Sequence, residues 1–253
     1  MDAISVGILL VGRLGSTRLR EKLLLQIDGV PIVQHTAVRL LRAKNCSAVV
    51  MCTTTDSTDD ALAALWSDSP VQVFRGSPHD PFRRMLACAE HFGFSHFIYA
   101  GADDVLLDPE LCDFLTARVA STQADMTLME NIVCGFTPFL FSTTAARRLV
   151  ETVRGVITIP EKYMKDMDGF TVDEVPVAGF EHLARPEIRA TLDYREDFEF
   201  FKVVISSLQS QNPSYTNRDV MDFLSAHPEV VAINIEKHAE WVAKQAREYQ
   251  KVR

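Results

Sequence analysis

Short apolar runs alternate with amphipathic stretches through the first half of the chain. The apolar runs are bounded by turn residues, which predicts buried strands at 5–10, 48–53, 71–74 and 97–100. The stretches between them carry apolar residues at helical spacing. Helices are therefore predicted at 32–44, from Ser57 or Thr58 onward, at 81–92 and at 110–120. Strands that alternate with helices in this way predict a parallel sheet covered by helices on both faces.

Acidic residues stand at several predicted helix starts. Asp59 and Asp60 fall in a first turn, where the helix dipole favours negative charge, so we expect them to be structural. Asp108 is predicted to be an N-cap, with Pro109 at the first helical position.

The second half of the chain is less regular. Strands are predicted at 125–129, 137–141 and 187–192, and helices at 145–154, 196–208, 217–226 and 235–249. The stretch 163–176 is polar and acidic without a clear period, which favours a substrate-side loop or lid. No repeat or low-complexity linker divides the chain, so one domain is predicted over 1–253. It comprises a nucleotide-binding half at 1–122, an acceptor-binding half at 123–210 and a helical tail at 211–253.

Composition narrows the partners and the compartment. The 253 residues suffice for one large α/β domain, and the net charge of −8 argues against a nucleic-acid partner. No apolar run approaches the roughly 18 to 20 residues of a membrane span, and the amino terminus lacks the basic region of a signal peptide. Five widely spaced cysteines without a C-x-x-C pair predict reduced thiols in a cytoplasmic protein. A homodimer is compatible with the sequence, which does not decide the oligomeric state.

The loop after the first apolar run, V-G-R-L-G-S-T-R-L-R-E-K-L-L-L at 11–25, concentrates groups that bind phosphate. Two glycines allow close backbone approach, two hydroxyls can donate, and four cations neutralise charge. These residues are Gly12, Gly15, Ser16, Thr17, Arg13, Arg18, Arg20 and Lys22. A nucleoside triphosphate is the obvious ligand, and an ordinary basic surface loop is the alternative. Neither the P-loop nor the dinucleotide glycine fingerprint is present.

The segment R-L-G-S-T-R-L-R-E-K resembles the R-x-G-S-x-R-x-x-x-K signature of the cytidylyltransferases that make CMP-activated sugars. That group includes the acylneuraminate, Kdo and spore-coat polysaccharide (SpsF-like) enzymes. The resemblance implies a Rossmann-like nucleotide-diphospho-sugar transferase fold. It also implies a CTP-binding loop in which Arg13, Arg18 and Lys22 hold the triphosphate.

Two further segments resemble the metal-binding motifs of the same family. G-A-D-D-V-L-L-D-P-E is similar to G-D-x-P-x-x-D-P-E, and R-A-T-L-D-Y-R-E-D-F is similar to R-x-T-x-D-x-x-E-D-[LF]. The resemblance implies that Asp103 and Asp193, each following a predicted strand, share one Mg²⁺ ion. Glu196 and Asp197 are interpreted as capping acids, and Asp104 is expected to point elsewhere and to tolerate asparagine.

A fourth segment, F-R-G-S-P-H-D-P-F-R-R, is similar to the family's F-R-G-x-x-x-D-x-x-x-R. It implies nucleoside contacts near Arg75, Gly76, Asp80 and Arg84, and ordinary salt bridges are the alternative for each. The E-H-V-T segment of the sugar-using members is absent. The acceptor therefore stays open between a sugar acid and a small molecule that carries a phosphonate or phosphate.

The function that the resemblance implies is Mg²⁺-dependent transfer of CMP from CTP to an anionic acceptor, with release of pyrophosphate. One alternative is a glycosyltransferase of similar fold, in which Asp103 and Asp104 would bind the metal of a nucleotide-sugar. That enzyme would not need the cationic loop at 11–25. The other alternative is a nucleotide-binding or scaffold protein without activity.

Overall fold

The computed structural model describes residues 4–16 and 18–251, with side chains in the last helix described through residue 243 and at 247. The strands are β1 (Val6–Val11), β2 (Gln26–Ile27), β3 (Val30–Pro31), β4 (Ala48–Thr54), β5 (Gln72–Gly76), β6 (His96–Gly101), β7 (Met126–Met129), β8 (Phe139–Ser142) and β9 (Val172–Val175). The helices are α1 (Ile32–Leu40), α2 (Asp60–Ala64), α3 (Pro81–His91), α4 (Pro109–Thr122), α5 (Thr143–Thr152), α6 (Pro160–Asp166), α7 (Arg195–Gln211), α8 (Asn217–Ala226), α9 (Pro228–Val231) and α10 (Ile235–Lys251).

Seven strands form one twisted sheet in the order β5-β4-β1-β6-β8-β7-β9. Only β8 runs antiparallel to its neighbours, and the other pairings are parallel. Because strands from both halves of the chain share this sheet, the predicted single α/β domain with a mostly parallel sheet is confirmed.

Helices cover both faces of the sheet, as the alternation of elements predicted. Side chains along β1 point alternately to the two faces, so that Leu9 packs in one buried cluster and Ile8 and Leu10 in the other. The Leu9 cluster includes α3, α5 and α6, and the opposite cluster includes α1, α4 and α7. None of the described helices combines the length and the apolar character that a membrane crossing requires.

Most helix starts follow the predicted chemistry. The Asp108 carboxylate accepts from the backbone N–H of Glu110, and Pro109 is the first residue of α4, as predicted. The predicted cap at Ser57 or Thr58 was wrong, because the side chain that caps this segment is that of Asp56. A short 3₁₀ turn, Ser57–Asp59, separates this cap from α2.

Three predicted segments differ from the structure. The helix predicted at 32–44 ends at Leu40, since the next turn is held by bonds from the Lys44 and Asn45 backbones to Asp113. The loop predicted at 163–176 contains the end of α6 and the edge strand β9. The strand predicted at 187–192 is a single bridge between Arg189 and Cys134. Its backbone bonds instead to Cys134 and to Asp103, which lie in two different loops.

Candidate active site

Three segments that are distant in sequence meet at the carboxyl ends of β1 and β6. They are the loop after β1, the turn after β6 and the irregular segment before α7. Two adjoining cavities open there, with volumes of about 450 Å³ and 590 Å³, which we call the loop cavity and the second cavity. Asp103 and Tyr99 line both cavities. Ligands of open α/β sheets bind at this edge of the strands.

The loop after β1 is fixed from beneath by a buried carboxylate. Asp59, which is 1% exposed, accepts from the Leu14 backbone N–H at 2.7 Å and from the Thr54 hydroxyl. A Cβ atom on Gly12 would lie 2.7 Å from side-chain atoms of Ala102 and Leu23, so this position requires glycine for packing. The expectation that Asp59 is structural is met, because its side chain determines where the loop lies.

The Lys22 ammonium is buried between two carboxylates. Its Nζ atom donates to Asp103 Oδ2 at 2.5 Å, to the Leu192 carbonyl at 2.6 Å and to Asp193 Oδ1 at 3.0 Å. Burial alone would lower the pKa of Lys22, but attraction to Asp103 and Asp193 outweighs burial, and the pKa is raised. Lys22 is therefore a permanent cation, and its contacts bring the two predicted metal-binding aspartates together.

Asp193 is surrounded by positive charge. Besides Lys22, it accepts from Arg18 Nη2 at 2.6 Å and from Arg189 Nη2 at 3.1 Å. Burial acts to raise the pKa of Asp193, and the neighbouring cations, Lys22 foremost, hold it below its ordinary value. Asp193 follows an irregular segment and not a strand, which corrects the sequence-based placement.

A buried layer that the sequence analysis missed supports Asp193. The Arg189 guanidinium pairs with Asp197 through Nε at 2.9 Å, and both side chains are fully buried. Asp197 also accepts from the backbone N–H groups of Asp193 and Tyr194, so its predicted capping role is confirmed. The amide of Asn234 completes the layer by donating to Asp197 Oδ1 at 2.9 Å. Arg189 begins the segment R-A-T-L-D-Y-R-E-D-F, but the motif did not indicate its pairing with Asp197, because that pairing depends on tertiary burial.

Asp104 was expected to point away from the site, but it does not. It lines the second cavity together with Asp103 and Thr191. Burial and repulsion from Asp103 raise the pKa of Asp104 well above its ordinary value. Tolerance of asparagine at this position stays a prediction.

The remaining residues predicted to bind nucleotide have different environments. Arg13, Gly15, Ser16 and the buried Arg84 line the loop cavity, and Arg13 donates to the Pro78 carbonyl at 3.1 Å. Thr17 lies outside the described residues.

The residues of the fourth motif, at 74–84, fall into two groups. Some line the loop cavity, and others support it from outside the lining. Arg75 donates to the Thr54 and Asp56 carbonyls and pairs with Asp60, and Asp80 caps α3. Neither of these residues, nor Gly76, belongs to the lining of the two cavities. Their direct nucleoside contacts stay predictions, while the contacts observed for Arg75 and Asp80 are structural.

Several residues that line the cavities were not among the predicted site residues. Tyr99, His79 and Thr158 line the loop cavity, and Asn131, Thr137 and Trp241 line the second cavity. Tyr99 stacks on Phe139 across the pairing of β6 with β8, with ring centroids 6.1 Å apart. Only strand alternation hinted at Tyr99. The others come from loops and from the last helix, whose positions the sequence pattern does not determine.

Lys22, Asp103 and Asp193 form the floor of the site. The carboxylate oxygens of the two aspartates suit a hard divalent cation better than a soft one. Both Asp193 oxygens are already paired with cations, whereas Asp103 is bonded through Oδ2 and keeps 31% of its side chain exposed. Across residues 4–16 and 18–251, no three His, Cys, Asp or Glu side chains are grouped to hold a metal by themselves. A divalent ion here would therefore take most of its ligands from phosphate and water, which is how Mg²⁺ usually binds.

The sequence profile of a family described as cytidylyltransferase matches residues 8–178. Among individual proteins, the chain is 24% identical over 230 residues to the spore coat polysaccharide biosynthesis protein SpsF of Bacillus subtilis, covering 86% of this chain and 92% of that protein. It is also 29% identical over 116 residues to the 3-deoxy-manno-octulosonate cytidylyltransferase of Chlorobaculum parvum, covering 45% of each.

The fold is similar to that of a solved cytidylyltransferase from Leptospira borgpetersenii. The TM-score is 0.82 at 24% sequence identity, and the match covers 90% of this chain and 97% of the other. The matched portion thus contains nearly the whole of that protein's fold.

Proposed function

The chain belongs to the cytidylyltransferase family, and from this premise we propose that it transfers CMP from CTP to a small acceptor with release of pyrophosphate. The observation that carries the proposal is the Lys22 ammonium buried between Asp103 and Asp193, below the cationic loop. A nucleotidyltransferase needs fixed positive charge where pyrophosphate departs and carboxylates near the reacting phosphate. The glycosyltransferase alternative accounts for the carboxylates but not for the cations on the loop.

The reaction is an in-line displacement at the α-phosphorus. An acceptor oxygen forms the new bond to phosphorus, the bond to the α–β bridging oxygen breaks, and the acceptor proton passes to solvent. Arg13 and Arg18 would bind the triphosphate, and Lys22 would stabilise the charge that builds on the departing pyrophosphate. Arg84, with its buried Nε unpartnered among the described residues, would contact the nucleotide from the opposite wall.

Mg²⁺ fits the donor chemistry of the floor. Asp103 would bind it directly, and it would supply charge neutralisation at the α-phosphate when present. Asp193 would contribute as a second ligand only after one of its cationic partners moves toward the triphosphate, because both its oxygens are paired in the present arrangement.

The acceptor is proposed to occupy the second cavity, next to Asp103 and Arg18. Sugar acids and small phosphonates are the two classes to be separated. The 3-deoxy-manno-octulosonate cytidylyltransferase named among the relatives makes a sugar acid the first choice.

Pyrophosphate release tests the proposal directly. Each of CTP, UTP, ATP and GTP is incubated with MgCl₂ and 3-deoxy-manno-octulosonate, N-acetylneuraminate or 2-aminoethylphosphonate. We expect release with CTP in preference to the purine nucleotides, dependent on an acceptor. Tighter binding of ATP or GTP than of CTP contradicts the cytidylyl assignment. Absence of release in every combination contradicts the proposed activity and favours an inactive homologue.

A further inference from the structure

The last helix forms part of the wall of the second cavity. Three residues of α10, His238, Trp241 and Val242, line this cavity beside Asp104 and Asp193. No described side chain of α10 lines the loop cavity, where the nucleotide is proposed to bind. A segment from the far end of the chain therefore lies where the acceptor is proposed to bind.

A buried amide determines where α10 begins. Asn234, which is 2% exposed, donates from Nδ2 to the Arg189 carbonyl at 3.1 Å and to Asp197 Oδ1 at 2.9 Å. Both acceptors belong to the layer that supports Asp193. Because a buried polar group is costly to leave unpaired, this amide ties the start of α10 to the active-site floor.

Two cation–π contacts place the helix further along. The Arg189 guanidinium carbon lies 5.5 Å from the centre of the Trp241 ring, and Lys237 Nζ lies 5.5 Å from the centre of the Tyr194 ring. The same guanidinium donates to Asp193 at 3.1 Å. One side chain thus separates the indole of Trp241 from the carboxylate that contacts Lys22.

We infer that Trp241 is an acceptor-binding residue, whose ring packs on the apolar face of a cyclic acceptor, and that α10 thereby determines acceptor specificity. This inference rests on the proposed function. A sugar ring offers a C–H face to the indole and hydroxyl groups to Asn131 and Thr137, which line the same cavity. An acyclic phosphonate has no comparable face, so the aromatic wall selects against it.

The chain contains two tryptophans, which makes Trp241 observable by fluorescence. Trp66 is 5% exposed in the core and lines neither cavity, so Trp66→Phe leaves Trp241 as the single reporter. Titration with 3-deoxy-manno-octulosonate or N-acetylneuraminate is expected to shift or quench its emission, and 2-aminoethylphosphonate is expected to have no effect. Circular dichroism checks that the variant is folded.

Steady-state kinetics supply the second measurement, in a chain that keeps Trp66. Trp241→Leu is expected to raise the KM for the cyclic acceptor about tenfold, with the KM for CTP and kcat nearly unchanged. Trp241→Phe keeps an aromatic ring and should restore most of the affinity for the cyclic acceptor. A purely structural role would not require an aromatic ring at this position. Val203→Ala, an exposed apolar change on α7, is the matched control.

Three results overturn the inference: unchanged Trp241 emission with every cyclic acceptor, an acceptor KM within twofold of wild type in Trp241→Leu, or turnover with the phosphonate alone. The fluorescence titration needs no turnover. A cyclic acceptor that alters Trp241 emission without any pyrophosphate release therefore supports the binding role and contradicts the proposed activity.

Discussion

The loop cavity and the second cavity share Asp103 but are built from different kinds of structure. The loop cavity draws three of its cations, Arg13, Arg18 and Lys22, from one segment after β1 that the buried Asp59 holds, and it takes Arg84 from α3 and Asp103 from the turn after β6. The second cavity draws its lining from loops around β8, from the segment before α7 and from α10. Local sequence therefore constrains the first site, whereas the second depends on contacts between distant segments.

This difference separates two tasks of the proposed enzyme, which are binding the triphosphate and recognising the acceptor. Phosphate chemistry is the same for any acceptor, and a compact motif can provide it. Under the proposed function, acceptor recognition lies in the second cavity, which is formed largely by loops and by α10, a helix that Asn234 ties to the floor. The floor is formed by Lys22, which lines the loop cavity, by Asp193, which lines the second cavity, and by Asp103, which lines both, and it is the place to test the comparison first.

The largest effect is expected from the shared carboxylates. Asp103→Asn and Asp193→Asn should each lower kcat/KM by roughly a thousandfold, because both contact the same buried cation at the reaction centre. The double variant should cost little more than the worse single one, since the two act as a unit. The exposed Asp68→Asn is the control. Additive losses in a double-mutant cycle would show that the two carboxylates act independently.

Lys22→Ala should have the next largest effect. Losing a cation that faces the departing pyrophosphate costs on the order of 3 kcal/mol, about a hundredfold in kcat, while the fold is kept. Turnover at saturating CTP measures the effect, and the exposed Lys202→Ala is the control. Near-wild-type turnover would remove Lys22 from the reaction and leave it as a structural cation between two acids.

A smaller effect is expected beneath the loop cavity. Asp59→Ala leaves the buried Leu14 N–H without its acceptor, which should lower the free energy of unfolding by about 1–3 kcal/mol. The KM for CTP should rise more than the KM for the acceptor, because only the loop cavity depends on this anchor. Urea denaturation and kinetics measure both effects. Asp60→Ala, at a side chain that is 64% exposed, should change stability by less than about 0.5 kcal/mol.

The smallest effect is the response of the floor to pH. The pKa of Asp193 lies below its ordinary value of 3.8, so its contribution to stability is complete above that pH and is lost as pH falls through the lowered pKa. The pKa of Lys22 lies above 10.5, so its contribution is complete below that pH and is lost as pH rises through the raised pKa. Comparing wild type with Asp193→Asn, we expect a constant stability difference between about pH 5 and 9 and a smaller one below about pH 4. A difference that instead grows on acidification would contradict the ion-pair assignment.

Much of the loop cavity could be predicted from the sequence, and the structure shows the physical reasons. Glycine at 12 is required by packing against Ala102 and Leu23, and the cations that follow it lie close together in the sequence. Asp103 was placed correctly because it follows a buried strand, and the ends of parallel strands share one edge of the sheet.

The second cavity was not predictable in the same way. The segment before Asp193 has the apolar character of a strand, yet its backbone bonds to the loop residues Cys134 and Asp103. Arg189 begins a quoted motif, but its pairing with Asp197, like the roles of Asn234 and Trp241, arises from burial and from tertiary contacts.

From the sequence alone came the alternation of strands and helices in the first half of the chain, the resemblance to the family and the charges of the phosphate loop, because these follow from periodicity and from closely spaced residues. Only the tertiary structure decided that Lys22 bridges Asp103 and Asp193, that Asp104 lines the second cavity, and that α10 forms part of its wall. The physical reason is that a buried ion pair or a cavity wall depends on which distant segments exclude water together, and no local pattern encodes that.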